Sequence, residues 1–506
     1  MNKIYQKECE SSCEYSLPDY MGDVKKILTV SALAIPSGKF ASDGEAEFSG
    51  VVSYELLYAD SEGKLTRLVT SSDYDVSVPI DPSYVDSASD VGISNVAVRL
   101  TGPRKLTLKS VVSSSVKVSA SDEVACGGSA FSEGNSPEVL TKTLSRENMI
   151  FASSAEREYA EEAEHLNGIA PDDIEIIATS GAVRILESVV GEGGVTVRGE
   201  LIITSIVRTE EQPPFAIRKT VPFEETVTLE GLTPDMQVLS DGYLTSVTSG
   251  VAEDAEGSVI TVNAIAELTC VAASNSEITV TEDAYLKNRD TVGEYENYSY
   301  FELVCTSSAE SSFAVSVPRD ELGLENTRNI LTLGADVRSA DKKIERTGFE
   351  ISGDAAFSGI ACEIGEDGSI AYSPVKFVAP YRINVNCGCQ IPENAVIDCR
   401  ASVIDVEHSL DSEKLLANVL VKVGYRVANP HSVKRMTTCN IVGENEYFNG
   451  KSHITVYYPE DNESLFSIAK KFHTTSEKLA TDNKLSEPTL ASGSVASAGI
   501  KKLIIR

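Results

Sequence analysis

Three cysteines and one histidine in the second half of the chain are side chains that could bind zinc. Cys387 and Cys389 are separated by a single residue, and Cys399 and His408 follow them. Structural zinc sites favour cysteine pairs with about two to four residues between them. One intervening residue on a strand instead places both thiols on the same face. We therefore predict small, buried thiols here and no metal site.

No other combination of side chains in the sequence predicts catalysis. The five histidines are scattered, without a pair at metal-ligand spacing. No Gly-x-Ser-x-Gly elbow, phosphate-binding loop or dinucleotide fingerprint occurs in the strand and helix context that its chemistry requires. Carboxylates are so frequent that a pair such as Glu161-Glu162 is most simply a solvated surface. We predict a protein that is not an enzyme and needs no cofactor.

The charge of the chain restricts its partners. The 506 residues carry a formal net charge of −32, whereas proteins that bind phosphate backbones concentrate Lys and Arg. Nucleic acid is therefore excluded as an expected partner. Residues 450–506 depart from this composition, because they contain 8 Lys and Arg against 6 Asp and Glu, so the remainder carries −34. This change in charge predicts a domain boundary.

The beginning of the chain and its hydropathy predict a cytoplasmic location. The first ten residues are polar and no apolar run of secretory length follows, so we expect no signal peptide. No stretch approaches the roughly 20 apolar residues that a membrane-spanning helix needs. The 10 cysteines are too sparse for a disulfide scaffold and fit a reducing cytosol.

Three segments of the chain share three short elements in the same order. The first element opens at Ile27, Ile176 and Ile330 and reads Ile-Leu-Thr, Ile-Ile-Ala and Ile-Leu-Thr. The second is centred on Gly50, Gly199 and Gly359, which lie 23, 23 and 29 residues after those isoleucines. The third begins at Lys105, Ser258 and Lys414. Matched elements at similar spacing predict a triplicated domain.

Apolar and polar residues alternate within these elements. Leu106 and Leu108 share one strand face, as do Val195 and Val197, which is typical of half-buried strands. Glycine inside a strand marks a bulge or a close approach of the backbone. Short turns such as Glu366-Asp-Gly368 predict hairpins.

These patterns predict a mainly β fold of tandem antiparallel sandwich- or barrel-like repeats. We place the repeats at residues 1–128, 169–288 and 289–442. Residues 129–168 are rich in Glu and Ala. They are predicted to form a partly helical connector, with a short helix around Ala155 to His165.

The last part of the chain, 450–506, has a different pattern. A strand at 453–458 precedes a segment in which Leu465, Ile468, Ala469 and Phe472 recur at helical spacing and form a core. Asn462 or Ser464 is its expected cap. Thr474 to Glu477 has the spacing of a capping box for a second helix, which buries Leu479, and Leu503-Ile-Ile505 returns as a strand. The prediction is a small α+β domain in the order β-α-α-β.

This segment resembles the LysM domain. The matching residues are Ile454-Thr-Val456, Glu463-Ser-Leu465, Ser467-Ile-Ala469, Thr474-Thr475, Leu479 and Asn483, in the order of the family. The first loop has about two extra residues, and Ser494 to Gly499 replaces the usual Pro-Gly-Gln. LysM domains bind N-acetylglucosamine polymers in a shallow groove between two loops. The resemblance implies a groove formed by Asp461, Asn462, Glu463, Ser464, Leu465 and Phe466 and by Asn483, Lys484 and Leu485. Asn483 either caps a turn or touches the ligand.

Tandem acidic β repeats followed by a LysM domain resemble the SipL-type proteins of Clostridia, whose repeated unit is the SPOCS domain. That resemblance implies a mother-cell protein at the forespore surface that assembles the spore coat. Its LysM domain would dock to a coat ATPase, a protein partner, rather than to glycan. The alternative is a cell-wall protein whose LysM binds peptidoglycan. Pairing of edge strands between chains leaves a homo-oligomer possible.

Overall fold

A computed structural model describes residues 3–42, 44–81, 84–120, 125–154, 156–166, 168–210, 212–254, 257–365, 369–444, 454–485, 494–496 and 498–506. The turn predicted at Glu366-Asp-Gly368 lies outside them. The chain divides into two compact units. The first comprises Met1–Ser121, Asn148–Ser274 and Leu303–Asn429, and the second Asp122–Glu147, Asn275–Glu302 and Pro430–Arg506. Within the described ranges no helix has the length and apolar character needed to cross a membrane.

Nearly all of the described elements are antiparallel strands, and the same strand order recurs in each repeat. The first repeat contains β1 (Lys3–Ser16), β2 (Val24–Ser42), β3 (Glu45–Asp60), β4 (Leu65–Pro79), β5 (Tyr84–Gly102) and β6 (Lys105–Ala120). Its two sheets have the orders β1-β6-β5 and β2-β3-β4.

The second and third repeats follow the first. The second contains β7 (Glu138–Ser153), β8 (Arg157–Leu166), β9 (Ile174–Gly191), β10 (Gly194–Thr209), β11 (Phe215–Thr228), β12 (Gln237–Asp254) and β13 (Gly257–Tyr285). Its sheets are β12-β13-β7, with β8 also on β13, and β11-β10-β9. The third contains β14 (Arg289–Pro318), β15 (Asn329–Ile344), β16 (Gly348–Ile364), β17 (Ile370–Asn386), β18 (Val396–Leu410) and β19 (Lys414–Glu444), in sheets β14-β19-β18 and β15-β16-β17. Short 3₁₀ turns occur at Ser129–Phe131, Pro171–Asp173 and Asp320–Leu322.

Each repeat is a sandwich with its own apolar core. In each repeat, one sheet consists of three consecutive strands (β2-β3-β4, β9-β10-β11 or β15-β16-β17), and we call it the meander. Side chains of the meander and of the facing sheet form one cluster per repeat. The predicted alternation is confirmed, because Leu106, Leu108, Val195 and Val197 are buried to 1% exposure or less. Burying each such side chain stabilises the fold by about 1.5–3 kcal/mol. The mainly β fold is therefore confirmed, whereas the predicted boundaries of the repeats stay predictions.

A helix was expected around Ala155 to His165. The described residues of this segment form a strand instead, so the prediction is wrong for them. β8 occupies this segment and pairs with β13, so residues 129–168 contribute strands to the second repeat. Tyr159 packs on Phe223, with ring centroids 5.9 Å apart. The tertiary contacts override the helical propensity of the Glu- and Ala-rich sequence. The exposed glutamates protect the edge of the sheet against pairing with other chains.

A glycine in the central strand of each meander faces a buried aromatic ring. The antiparallel pairs are Gly50 with Tyr74, Gly199 with Phe223 and Gly353 with Tyr381. On the opposite side of each glycine, the neighbouring strand has a bulge. At Gly50 and Gly199 the ring occupies the space that an added side chain would need.

The third of these glycines corrects the sequence alignment. Gly359, chosen from the sequence, pairs with Val375 and lies further along β16. Gly353 is 23 residues after Ile330, which is the spacing in the other two repeats. The sequence match was wrong because Phe-Ser-Gly recurs at 357–359, whereas the bulge and the facing ring identify the equivalent position.

We predict that Gly199→Ala destabilises the second repeat by about 1–3 kcal/mol, because overpacking a core shifts backbone and rings. A Cβ atom at Gly199 would overlap with the carbonyl oxygen of Arg184 and with the Phe223 ring. Urea denaturation measures the change. The control is Gly191→Ala, where the nearest atom to an added Cβ is 3.7 Å away. Equal stabilities of the two variants would contradict the prediction.

The opening isoleucine element of each repeat also has a structural role. Its second residue is Leu28, Ile177 or Leu331, and each lies at a bulge in the first strand of its meander. The three side chains are 0%, 6% and 2% exposed and belong to one apolar cluster. At each bulge, one side chain points into an apolar core that the three repeats share. We call this core the three-way cluster.

Ion pairs join each repeat of the first unit to the other two. Lys64 of the first repeat lies 3.0 Å from Glu175 of the second. Arg218 of the second lies 2.6 Å from Asp405 of the third. Arg400 of the third pairs with Asp90 of the first. These contacts contribute little energy individually, about 0–1 kcal/mol each, but together with the three-way cluster they close the repeats into a ring.

The second unit contains the remaining parts of the long strands and the C-terminal domain. Leu144, Val280 and Tyr298 form one small core, and Ala130, Ala284, Leu286, Met436 and Cys439 form another. The N–H of Gly127 donates to the carbonyl of Thr437 at 2.9 Å, and the N–H of Cys439 donates to the carbonyl of Gly127 at 2.9 Å. Residues 125–131 are thereby held on β19.

Candidate functional site

The C-terminal domain has the predicted β-α-α-β order. Its elements are β20 (Thr455–Tyr457), α1 (Leu465–Lys471), α2 (Ser476–Asp482) and β21 (Leu503–Ile505). β20 and β21 pair antiparallel. Ser464, one of the two expected caps, begins α1 through a capping box with Ser467. The cap of α2 is Thr475 rather than Thr474, and its hydroxyl accepts from the Lys478 N–H at 3.0 Å.

The core of this domain includes a residue from outside the domain. Leu465, Phe466, Ile468, Ala469, Leu479, Val495, Leu503 and Ile505 are buried together with Tyr285, the last residue of β13. The Tyr285 ring meets Phe466 edge-on, with centroids 5.1 Å apart. Its hydroxyl donates to the carbonyl of Thr474 at 2.7 Å. Tyr285 therefore completes the core, and the sequence pattern of the domain gave no signal for it.

An ion pair lies beside this ring. Lys470 on α1 donates to both carboxylate oxygens of Asp283 at 2.6 and 2.8 Å. The same carboxylate accepts from the hydroxyl of Tyr295 at 2.9 Å. Charged hydrogen bonds of this kind are stronger than neutral ones. Together, Tyr285 and Asp283 fix α1 on the end of β13.

The first predicted groove loop divides into an exposed part and a buried part. Asp461 and Asn462 are exposed in a turn, and Glu463 and Ser464 are half-buried. Leu465 and Phe466 are 2% and 4% exposed and belong to the core. The exposed surface of this loop therefore comes from the first four residues, whereas the last two support it from beneath.

Glu463 organises this loop. Its carboxylate accepts from the Tyr457 hydroxyl at 2.7 and 2.8 Å and from the Glu460 N–H at 3.0 Å. The Lys471 ammonium donates to the same Tyr457 hydroxyl at 2.8 Å. Burial alone would raise the pKa of Glu463, but these donors favour its charged form and hold the pKa below its ordinary value of 4.5.

We predict that the C-terminal domain loses stability in acid through Glu463. Because the pKa is lower in the folded than in the unfolded state, the stabilisation is present above about pH 4.5 and is lost as the pH falls through the folded value. Hydrogen exchange of α1 amides as a function of pH measures it. Glu463→Gln should flatten this dependence, and an unchanged acid profile in that variant would contradict the assignment.

The second predicted groove loop follows α2. The Asn483 amide nitrogen donates to the carbonyls of Leu479 and Ile504 at 2.9 and 2.7 Å, and its oxygen accepts from the Ile504 N–H at 2.6 Å. The structure thus uses this side chain to cap α2 and to hold β21. Lys484 is exposed at a positive φ of 55°, and Leu485 is half-buried against the core.

Two residues outside the predicted groove support the first loop. The Val495 N–H donates to the carbonyl of Glu463 at 2.9 Å, and the Ser494 hydroxyl donates to the carbonyl of Asp461. They belong to the segment that replaces the usual Pro-Gly-Gln. The departure from the family pattern marks this segment in the sequence, but it does not predict that the segment contacts the first loop.

The residues considered for zinc lie in two places. Cys387 and Cys389 lie in the turn after β17 and pack against the core of the third repeat. They are not on a strand, as the sequence argument assumed, because Gly388 has a φ of 68°. The His408 Nε2 atom is 3.1 Å from the carbonyl oxygen of Ile330. Among the described residues, no group of three His, Cys, Asp or Glu side chains is arranged for a metal ion.

Comparison with protein families identifies two segments. Residues 173–251 match the family model described as the SPOCS domain of SipL, and residues 460–495 match that of the LysM domain. The first match covers β9 to β11 and most of β12. A search of curated proteins gave no match. Both matched domains are binding domains rather than catalytic ones. The chain thus contains one segment similar to a SPOCS domain and one similar to a LysM domain, a combination that indicates a sporulation-related protein with a peptidoglycan-binding type of module.

Proposed function

We propose that this chain is a non-enzymatic assembly protein of the spore coat that docks through its LysM domain to a protein partner. The observation that carries the proposal is that the LysM domain binds Tyr285 through a hydrogen bond and Asp283 through an ion pair. These contacts fix the loops of the module relative to the rest of the second unit, which reduces the entropy lost on docking. Such a rigid mounting suits a scaffold better than a flexible tether does.

The proposed contact face is the exposed part of the two loops. Asp461, Asn462 and Ser464 belong to its first loop, in which Glu463 binds the Glu460 N–H, and Lys484 and Leu485 belong to its second loop. Leu465, Phe466 and Asn483 act from beneath by fixing the loops. The proposed face therefore includes one exposed acidic side chain, Asp461, and one exposed basic side chain, Lys484.

Charge favours a protein partner inside the mother cell for this scaffold. The chain outside residues 450–506 carries −34, which opposes close approach to other anionic polymers. We place the protein at the mother-cell side of the forespore surface, where a coat ATPase is the partner implied by the SipL resemblance.

Charge exchange across the face tests the proposal. The variant Asp461→Arg with Lys484→Glu reverses one charge in each loop and leaves the net charge unchanged. We expect it to fold as the wild type but to lose its localisation at the forespore in sporulating cells. The matched control is Glu477→Arg with Lys478→Glu on the exposed first turn of α2. Normal localisation of the first variant would overturn the proposed docking face.

The second candidate function is binding of peptidoglycan, which the LysM match favours. Sedimentation with purified peptidoglycan distinguishes the two. Clear co-sedimentation of the wild type, lost in the Asp461 and Lys484 double variant, would favour a glycan-binding protein. If the wild type stays in the supernatant while affinity capture from sporulating cells recovers a coat protein, the assembly function is supported.

A further inference from the structure

Three thiols meet at one edge of the third repeat. The Sγ atoms of Cys389 and Cys305 are 3.1 Å apart, although the residues are 84 positions apart in sequence. The Cys387 thiol lies close enough to Cys305 and to Tyr425 to raise the pKa of both. Cys305 is 8% exposed, whereas Cys387 and Cys389 are half-buried. Cys305 is therefore the most buried of the three residues.

The turn that carries Cys387 and Cys389 is held in place. The Cys387 N–H donates to the carbonyl of Thr347 at 2.9 Å, and the Ile391 N–H donates to that of Arg346 at 3.0 Å. The Gly388 N–H donates to the side chain of Asn386 at 3.0 Å. A disulfide bond needs an S–S distance of about 2 Å, so the two sulfur atoms must approach by only about 1 Å.

We propose that Cys305 and Cys389 form an intramolecular disulfide when the protein meets a peroxide, which makes this cluster an oxidation site. The thiol of Cys389, which is the less buried of these two residues, reacts with hydrogen peroxide to give a sulfenic acid and one water. The Cys305 sulfur then attacks the Cys389 sulfur and displaces the second water. Two thiols are oxidised to one disulfide, and one peroxide is reduced to two waters.

The surroundings set the pH dependence of this step. Burial raises the pKa of the Cys305 thiol and that of Cys387, and the neighbouring thiols raise the pKa of Cys305 further. The thiolate is the reactive form. The attack by Cys305 that closes the disulfide should therefore be slow at neutral pH and should accelerate as the pH rises. The bond would join β14 to the turn between β17 and β18, within one repeat.

The test uses the reduced, full-length protein treated with hydrogen peroxide and then alkylated. Trypsin releases Cys305 and the 383–400 segment, which carries Cys387, Cys389 and Cys399, on different peptides. We expect a linked pair with Cys305 bonded to Cys389, reversed by dithiothreitol. It should be abolished by Cys305→Ser or Cys389→Ser and retained in Cys387→Ser. The half-buried Cys9 and Cys13 serve as internal controls for general oxidation.

A second measurement does not depend on the folding of the variants. Closing a chain segment of 84 residues should raise the unfolding midpoint of the peroxide-treated wild type by roughly 5 °C or more. Dithiothreitol should restore the lower midpoint. Over-oxidation of Cys389 without a linked peptide, linkage only between chains, or oxidation of Cys9 and Cys13 at the same rate would overturn the proposal.

Discussion

Tyr285→Ala is expected to loosen the LysM domain while the cores of the three repeats stay folded. The variant removes a ring that is 2% exposed and packs edge-on against Phe466. Truncating a buried aromatic side chain typically costs about 3–5 kcal/mol. A domain of this size has little stability to lose. Hydrogen exchange should therefore show lost protection of α1 and α2, with protection of β3, β10 and β16 unchanged.

The conservative variant separates packing from hydrogen bonding at this position. Tyr285→Phe keeps the ring and removes only the bond to the Thr474 carbonyl, so we expect a cost of about 1–2 kcal/mol. If Tyr285→Ala leaves exchange in α1 unchanged, the LysM domain folds on its own. The rigid seat on which the proposed function depends would then be wrong.

Leu28→Ala is expected to destabilise all three repeats together. Leu28 is fully buried in the three-way cluster with Ile177 and Leu331. Removing a buried leucine costs about 2–5 kcal/mol, depending on how far the site collapses. Because each repeat contributes to the cluster, the loss should appear in the exchange of β3, β10 and β16 alike.

The control for this prediction lies on the same strand. Leu33 on β2 is 44% exposed, so Leu33→Ala should change the stability by about 0.5 kcal/mol or less. Chemical denaturation measures the stability of the two variants, and hydrogen exchange shows which strands lose protection in each. A loss confined to the first repeat in Leu28→Ala would show that the repeats unfold independently.

Local patterns predicted the fold where local rules decide it. Alternation at Leu106 and Leu108 identified a strand, and helical spacing with Ser464 as a cap identified α1. The helix expected around Ala155 failed because pairing with β13 decides that segment, and propensity does not describe such a distant partner. The glycine of the third repeat was misplaced because its role depends on the ring across the strand, Tyr381.

The candidate site was predictable in position but not in the role of each residue. The family order placed both loops, yet it did not distinguish Lys484, which is exposed, from Phe466, which is buried. Tyr285 could not be found from the LysM pattern, because it is far away in sequence and contacts the domain only in three dimensions. Local sequence patterns do not predict buried contacts between segments that are far apart in the chain.

The three-way cluster has a consequence for how this architecture can evolve. Solenoid proteins can gain or lose copies at little cost, because each copy meets only its neighbours in a line. Here the bulged residues Leu28, Ile177 and Leu331 meet one another, and the first copy also contacts the last. A duplication or deletion would leave an unfilled centre, so we expect the copy number in this architecture to stay at three.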